Sequence, residues 1–260
     1  MHLSTYKLVS FYTVLQMDLI FITDTFIEVP AITTAQMREV DRIAMEITGP
    51  NLFQMMENAG RSLAAMAIEM LGIEWKEKSI IILAGAGGNG GGGICAARHL
   101  ANKGANVKLC LINQGKLSEV PGFQLKIFSA AGGQLIAPER LYKEKPELII
   151  DAIIGYSLNG APTGNALAAI QWANLSNTKI LSLDVPSGIN STTAEMPGEA
   201  IYAERTVTLA LAKKGLVSKN TGALFLADIG IPQETYRKMN LHFEKPFDDR
   251  YVVPLFIKTN

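Results

Sequence analysis

Nine residues, Gly85-Ala86-Gly87-Gly88-Asn89-Gly90-Gly91-Gly92-Gly93, follow the apolar run Ile80-Ile81-Ile82-Leu83-Ala84 and precede Ile94-Cys95-Ala96-Ala97-Arg98-His99-Leu100. A strand, a glycine loop and a helix start in that order make an anion site. Glycine admits positive φ and a close ligand, and the free amides of the helix start face a phosphate with the dipole behind them. Two other apolar runs end in acids. Glu147-Leu148-Ile149-Ile150 leads into Asp151 and then Gly155-Tyr156-Ser157-Leu158-Asn159-Gly160, and a run at 179–184 ends Asp184-Val185-Pro186-Ser187-Gly188. In an open parallel sheet the ligand lies outside the carboxyl ends of the strands, so a glycine loop and two carboxylates are expected at one edge. Asp184 reads either as an acid or base at that crevice or as a turn residue capping local amides. Asp151, an acid ending an apolar strand, needs a cation or a hydrogen-bonding partner.

The elements that would position these residues alternate. Strands are expected at 79–84, 106–112, 147–153 and 179–184, and helices at about 92–104, 120–132 and 164–174. Such alternation means right-handed βαβ crossovers and a mostly parallel sheet. Two more apolar runs, Thr206–Leu211 and Ala223–Asp228, read as strands with no helix clearly between them, which favours an antiparallel last pairing. Two helices precede the sheet. Thr33 with Gln36 forms a capping box for a helix to about Ile47, and a second runs from near Asn51 to Leu71. Leu52, Met55, Met56, Ala59, Leu63 and Met66 recur along it at helical spacing and read as core. The fold class is α/β, a doubly wound, mostly parallel Rossmann-like sheet with two added N-terminal helices. Residues 31–260 form one domain, and residues 1–30 form an extension. Within it, Leu8 to Ile22 is apolar but broken by Gln16 and Asp18, too short and polar to span a membrane. It lacks a secretory cleavage site; Met17 is an alternative start, or the segment is an added strand or arm.

Composition excludes several classes. In 260 residues, 24 Lys and Arg balance 24 Asp and Glu, so no global field draws nucleic acid or a membrane. Cys95 and Cys110 lie in apolar stretches and read as core residues of a reducing, cytoplasmic protein. Gly85-x-Gly87-x-x-Gly90 matches the dinucleotide fingerprint, but the next strand ends at Asn113 with no acid for the ribose. Gly-Lys-Ser/Thr, Gly-x-Ser-x-Gly and zinc-type Cys/His spacings are missing from the sequence. His2, His99 and His242 are poor candidates for chemistry, and Lys213-Lys214-Gly215 reads as a solvated turn or a phosphate contact.

Taken together, the chain resembles the NAD(P)H-hydrate epimerase family, also called the YjeF N-terminal domain family, over about Ile32 to Pro232. Six blocks carry the likeness in order: Met56-Glu57-Asn58-Ala59-Gly60-Arg61; the glycine loop through Leu100; Asp151-Ala152-Ile153-Ile154-Gly155; Leu183-Asp184-Val185-Pro186-Ser187-Gly188; Ala212-Lys213-Lys214-Gly215-Leu216; and Ala227-Asp228-Ile229-Gly230-Ile231-Pro232. The resemblance implies a homodimer that interconverts the R and S forms of hydrated NADH and NADPH, with a separate dehydratase restoring the cofactor from the S form. Because the chain ends soon after this region, the epimerase alone is expected. Carried over by position, Asn89, Asp151 and Ser187 would bind one potassium ion. Asp184 would act on the hydrated ring, and Gly88, Asn89, Gly90, Gly91 and Gly92 with Gly155, Tyr156, Ser157, Leu158, Asn159, Gly160 and Ala161 would hold the rest of the substrate.

The chain departs from the family loop Gly-Pro-Gly-Asn-Asn-Gly-Gly-Asp-Gly. Gly88 replaces the first Asn and Gly92 the Asp, while Asn159 stands for a common Lys and Ala161 for a common acid. These departures favour an alternative: an impaired nucleotide- or RNA-binding scaffold on the same fold, as in eukaryotic decapping relatives. The retained Asp184, Asp151, Asn89 and Ser187 and the balanced charge oppose it and argue against nucleic acid. A nicotinamide-dependent oxidoreductase lacks its ribose acid and a proton relay.

Overall fold

A computed structural model describes residues 19–113, 115 and 117–258. The expectations for Leu8 to Asp18, for Met17 and for His2 lie outside these residues. The alternating pattern folds as expected. Strand β1 (Ile20–Thr23) and β2 (Glu28–Ile32) come first, then helix α1 (Thr34–Ile43), which runs on as a π-helical turn to Thr48, and α2 (Leu52–Leu71). Next come β3 (Ser79–Ala84), α3 (Gly88–Asn102), β4 (Asn106–Leu111), α4 (Glu119–Ala130), β5 (Gln134–Ile136), β6 (Leu148–Ala152), α5 (Gly164–Leu175) and β7 (Lys179–Leu183). The chain closes with β8 (Arg205–Leu209), β9 (Ala212–Lys213), β10 (Ala223–Ala227), α6 (Gln233–Arg237) and β11 (Val252–Ile257).

Both leading helices start at reciprocal capping boxes. Thr33 and Asn51 accept from the amides of Gln36 and Gln54, whose side chains accept from the cap amides in return, so two orphan amides are satisfied at each start. Gly49, at φ 114°, then turns the chain between the two helices in a region few other residues adopt.

The sheet order is β5-β4-β3-β6-β7-β8-β10-β11-β1-β2-β9. From β5 to β10 every neighbour is parallel. Beyond β10, β11, β1 and β2 add antiparallel, so residues 20–30 belong to the same sheet as the rest. Alternate β3 residues enter different cores. Ile80 and Ile82 pack with α2, α3 and Phe128 of α4, while Ile81 and Leu83 pack with α5 on the other face. Burial on both faces is the reason this strand is apolar throughout.

Two expectations are corrected. The pairing of β8 with β10 is parallel, Thr206 opposite Leu224 and Thr208 opposite Leu226. The chain between them leaves to lay β9 beside β2 and returns through two 3-10 turns, 214–217 and 219–221, so a crossover exists without a helical pattern to announce it. The glycine segment is also not a loop leading to a helix near residue 92, because α3 begins at Gly88 and takes in Gly88 to Gly93.

Candidate active site

The strand order reverses between β3 and β6. Crossovers from β3 run outward through β4 to β5, and β6 then starts the opposite half. The carboxyl ends of β3 and β6 therefore flank a crevice, the usual ligand position in such sheets. A cleft of about 380 Å³ opens there, lined by Ala86 to Asn89, Gly92, Ile153 to Ser157, Asp184 and Lys213. Met37, Met45, Leu52, Met55 and Met56 form its apolar wall. The α2 stripe is thus divided: Leu63 and Met66 are core, Met55, Met56 and Ala59 are buried and also face the cleft, and Leu52, expected in the core, is exposed at the cleft because it begins the helix. Gly90 and Gly91 are buried outside the lining, and Leu158, Asn159, Gly160 and Ala161 also lie outside it.

The glycines serve close packing. None from Gly85 to Gly93 has positive φ, contrary to the expectation. A Cβ on Gly85 would fall on the Ile153 carbonyl oxygen, and one on Gly90 would fall on the carbonyl of Gly85. At Gly92 it would meet Leu183 Cδ2 at 2.6 Å, and at Gly93 it would meet Ala152 Cβ at 2.5 Å. α3 therefore lies directly on β6 and β7. Leu183, fully buried, fills the space beside Gly92, which gives that departure from the family loop a packing reason. Gly87 and Gly88 meet nothing within 4 Å, Gly87 caps the helix without a side-chain bond, and the first internal bond is Gly91 N–H to Gly87 O at 3.0 Å. The amides of Gly88 and Asn89 remain free at the cleft, the anion-binding arrangement of a helix N-terminus.

Asp184 sits just past β7 at φ 67°, a left-handed conformation that a short polar side chain tolerates. Its backbone N–H donates to Val207 O at 2.7 Å, tying it to β8. The side chain is the centre of a buried network. Oδ1 pairs with Lys213 Nζ and accepts from Leu209 N at 3.3 Å, while Oδ2 accepts from Tyr156 N at 3.3 Å. Lys213 is 0% exposed and also donates to Leu209 O at 2.7 Å. The solvated-turn reading of Lys213 therefore fails: β9 carries it inward, and the residue pairs with Asp184 because two buried charges need each other. Sequence reasoning also missed Asp41 of α1. It lines the cleft and accepts from the Tyr156 phenol at 2.6 Å. Burial raises the Asp41 carboxyl above its usual range despite that bond, and burial together with Asp41 raises the Tyr156 phenol.

Asp151 and Ser187 bond to each other at the end of β6, and Asn89 packs on Gly155 of the turn that follows. Asp151 is fully buried, and its Oδ2 accepts from Ser182 Oγ at 2.8 Å and from Ser187 N at 2.9 Å. Oδ1 accepts from Ile153 N at 3.2 Å and from Ser187 Oγ at 2.5 Å. Burial raises this carboxyl, with the four donors acting against it, and among the described residues no cation pairs with it. Ser187 Oγ has a second acceptor in Ile154 O at 3.2 Å, so turning its proton there frees Oδ1. The Asn89 amide packs on Gly155, and its buried oxygen and nitrogen have no protein partner. A buried carboxylate without a counter-charge, a hydroxyl able to turn, and an orphaned amide oxygen suit a hard, oxygen-bound cation.

His99 lies in a polar cluster between α2 and α3, where its Nε2 is 2.8 Å from Glu57 Oε1. With Glu57 and Cys95 it forms a cluster of three ligand-type side chains, but Arg98 sits among them. Its Nη2 lies 2.5 Å from Glu57 Oε2, 3.0 Å from His99 Nε2 and 3.7 Å from Cys95 Sγ. The guanidinium thus takes the place a metal would need.

Fold and site together define an α/β protein with a nucleotide-type cleft at the switch point of its sheet. A family model described as YjeF-related protein N-terminus matches residues 52–215, and the chain belongs to that family. An NAD(P)H-hydrate epimerase of Dehalogenimonas lykanthroporepellens is 45% identical over 86% of this chain and 92% of its own. One from Weissella koreensis is 32% identical over 83% and 96%. A bifunctional NAD(P)H-hydrate repair enzyme of Moorella thermoacetica is 35% identical over 78% of this chain, which spans only 41% of that longer protein. The crystal structure of yeast ynu0 matches with a TM-score of 0.76 over 86% of this chain and 99% of that one; at 22% identity it shows the shared fold.

Proposed function

We infer that the protein is an NAD(P)H-hydrate epimerase, an isomerase that interconverts the R and S forms of hydrated NADH and NADPH. The observation that carries this reading is the Asp184–Lys213 pair in the cleft beside the start of α3, on a chain 45% identical to a relative named for that activity. At C6 the hydroxyl must leave and water must return on the other face. The dihydropyridine nitrogen pushes the hydroxyl out, leaving an iminium-like ring. A carboxyl group protonates the departing oxygen and takes the proton of the incoming water, and the buried Asp184 carboxylate stabilises the ring's positive charge. The free amides at the start of α3 would hold a substrate phosphate, and the methionine wall would cover the ring.

The bound cation would be potassium, held by Asn89, Asp151 and Ser187, where it would supply a fixed positive charge beside the cleft. The protein would act as a homodimer in the cytoplasm and hand the S form to a dehydratase; the bifunctional relatives support that partnership. No helix among the described residues is long and apolar enough to cross a membrane. The test supplies R-hydrated NADH with a dehydratase specific for the S form. Recovery of NADH faster than spontaneous epimerisation is expected. Recovery at the spontaneous rate, with RNA binding that weakens steeply in salt, would mean a scaffold instead.

A further inference from the structure

Epimerisation uses both faces of one ring carbon, and a single fixed carboxyl stands on only one of them. The cleft holds a second. Asp41 lines it together with Asp184, and Tyr156 spans the two, its N–H donating to Asp184 Oδ2 at 3.3 Å and its phenol to Asp41 Oδ2 at 2.6 Å. The carboxyls are therefore held apart at the two ends of one tyrosine. The Tyr156 backbone is itself pinned, because its carbonyl accepts from Ser191 Oγ at 2.9 Å.

The surroundings of the two acids differ. Asp184 is the anion of a buried ion pair. Asp41, among the described residues, makes no ion pair and takes one side-chain hydrogen bond, from Tyr156. The groups that bear on it are Tyr156, Asp184 and Lys213 across the cleft, Tyr236 of α6, and Arg38 of its own helix, which acts on Tyr156. Burial favours the protonated carboxyl at Asp41, and Tyr156 and Lys213 oppose it. Two acids in such unequal settings divide the acid and base roles between them.

We propose that Asp41 is the acid–base partner of Asp184 for the second face of the substrate ring, a role that rests on the epimerase reading above. In one direction the Asp41 proton passes to the C6 hydroxyl as the C6–O bond breaks, and the nitrogen lone pair closes the C=N bond. Water then adds to the opposite face, the C=N electrons return to nitrogen, and Asp184 accepts the proton of that water. One proton has moved from Asp41 to Asp184, and exchange with solvent resets both. The reverse direction exchanges the roles.

The test is D41N, which keeps the shape and an acceptor for Tyr156 but cannot carry the proton. With R-hydrated NADH and excess S-specific dehydratase, kcat should fall about 100-fold or more, the scale of a lost general acid or base. KM and Tm should hold, and the alkaline loss of rate expected of the wild type as Asp41 deprotonates should be missing from D41N. A folded D41N whose kcat stays within about threefold of wild type, far below the scale of a lost general acid or base, overturns the proposal. If D41N does not fold, Y156F decides. Removing the phenol removes a bond that lowers the Asp41 pKa, so the alkaline limb should move to higher pH, and an unmoved limb overturns the proposal. Wild-type protein without turnover refutes the epimerase reading itself, whereas active wild type with an indifferent D41N refutes only the part given to Asp41.

Discussion

Lys213, on the two-residue strand β9, forms a buried ion pair with Asp184 at the end of β7, their side chains 0% and 5% exposed. Removing one partner of such a pair leaves a buried charge uncompensated, which costs about 3–5 kcal/mol. Lys213→Ala should therefore lower the urea midpoint by a corresponding amount at unchanged m and abolish turnover. A midpoint equal to wild type would mean that Asp184 finds other compensation.

The glycines of α3 should differ sharply in tolerance. Gly90→Ala drives a methyl into the backbone of Gly85, an overpacking that costs about 3 kcal/mol or more because backbone cannot step aside. Gly88→Ala meets open space and should leave stability unchanged or raise it by up to about 1 kcal/mol through helix propensity. Thermal unfolding of the two variants reads the contrast, and equal shifts would contradict the packing role.

Potassium should stabilise the fold through Asn89, Asp151 and Ser187. Exchange into a potassium-free, choline-based buffer should lower Tm, since a ligand at a hundredfold excess over its Kd contributes about 2.7 kcal/mol. Asp184→Asn, which suits the left-handed backbone there, should abolish turnover yet keep this dependence, whereas Asn89→Ala should lose it. Potassium dependence that survives in Asn89→Ala would place the ion elsewhere.

Acid should weaken the contact between α2 and α3. Burial first, and then Arg98, holds His99 below its ordinary 6.5. The native state thus binds fewer protons than the unfolded chain once pH falls below that value, and stability is lost progressively toward the folded pKa. Glu57 extends the loss to lower pH; burial opposes it, but Arg98 and His99 hold its carboxyl below the ordinary 4.5. In His99→Gln, urea midpoints between about pH 7 and pH 5 should depend less on pH than in wild type. An identical slope would exclude His99 as the source.

Much of the molecule is determined by sequence alone. The strand Ser79–Ala84, the capping box of Thr33, the helix start near Asn51 and the α/β alternation were legible, because they depend on neighbours a few residues apart. The acids at the ends of β6 and β7 were legible for the same reason. The tertiary structure decided the rest. The glycines of α3 are explained by Ile153, Ala152 and Leu183, which reach them only through the sheet order. Lys213 looks like any lysine in a turn until β9 crosses to β2 and turns it toward Asp184. Asp41, on a helix that periodicity describes well, becomes part of the cleft only when Tyr156 of a distant turn meets it. Local periodicity says which face of an element is buried. It does not say against what, and the site is made of those partners.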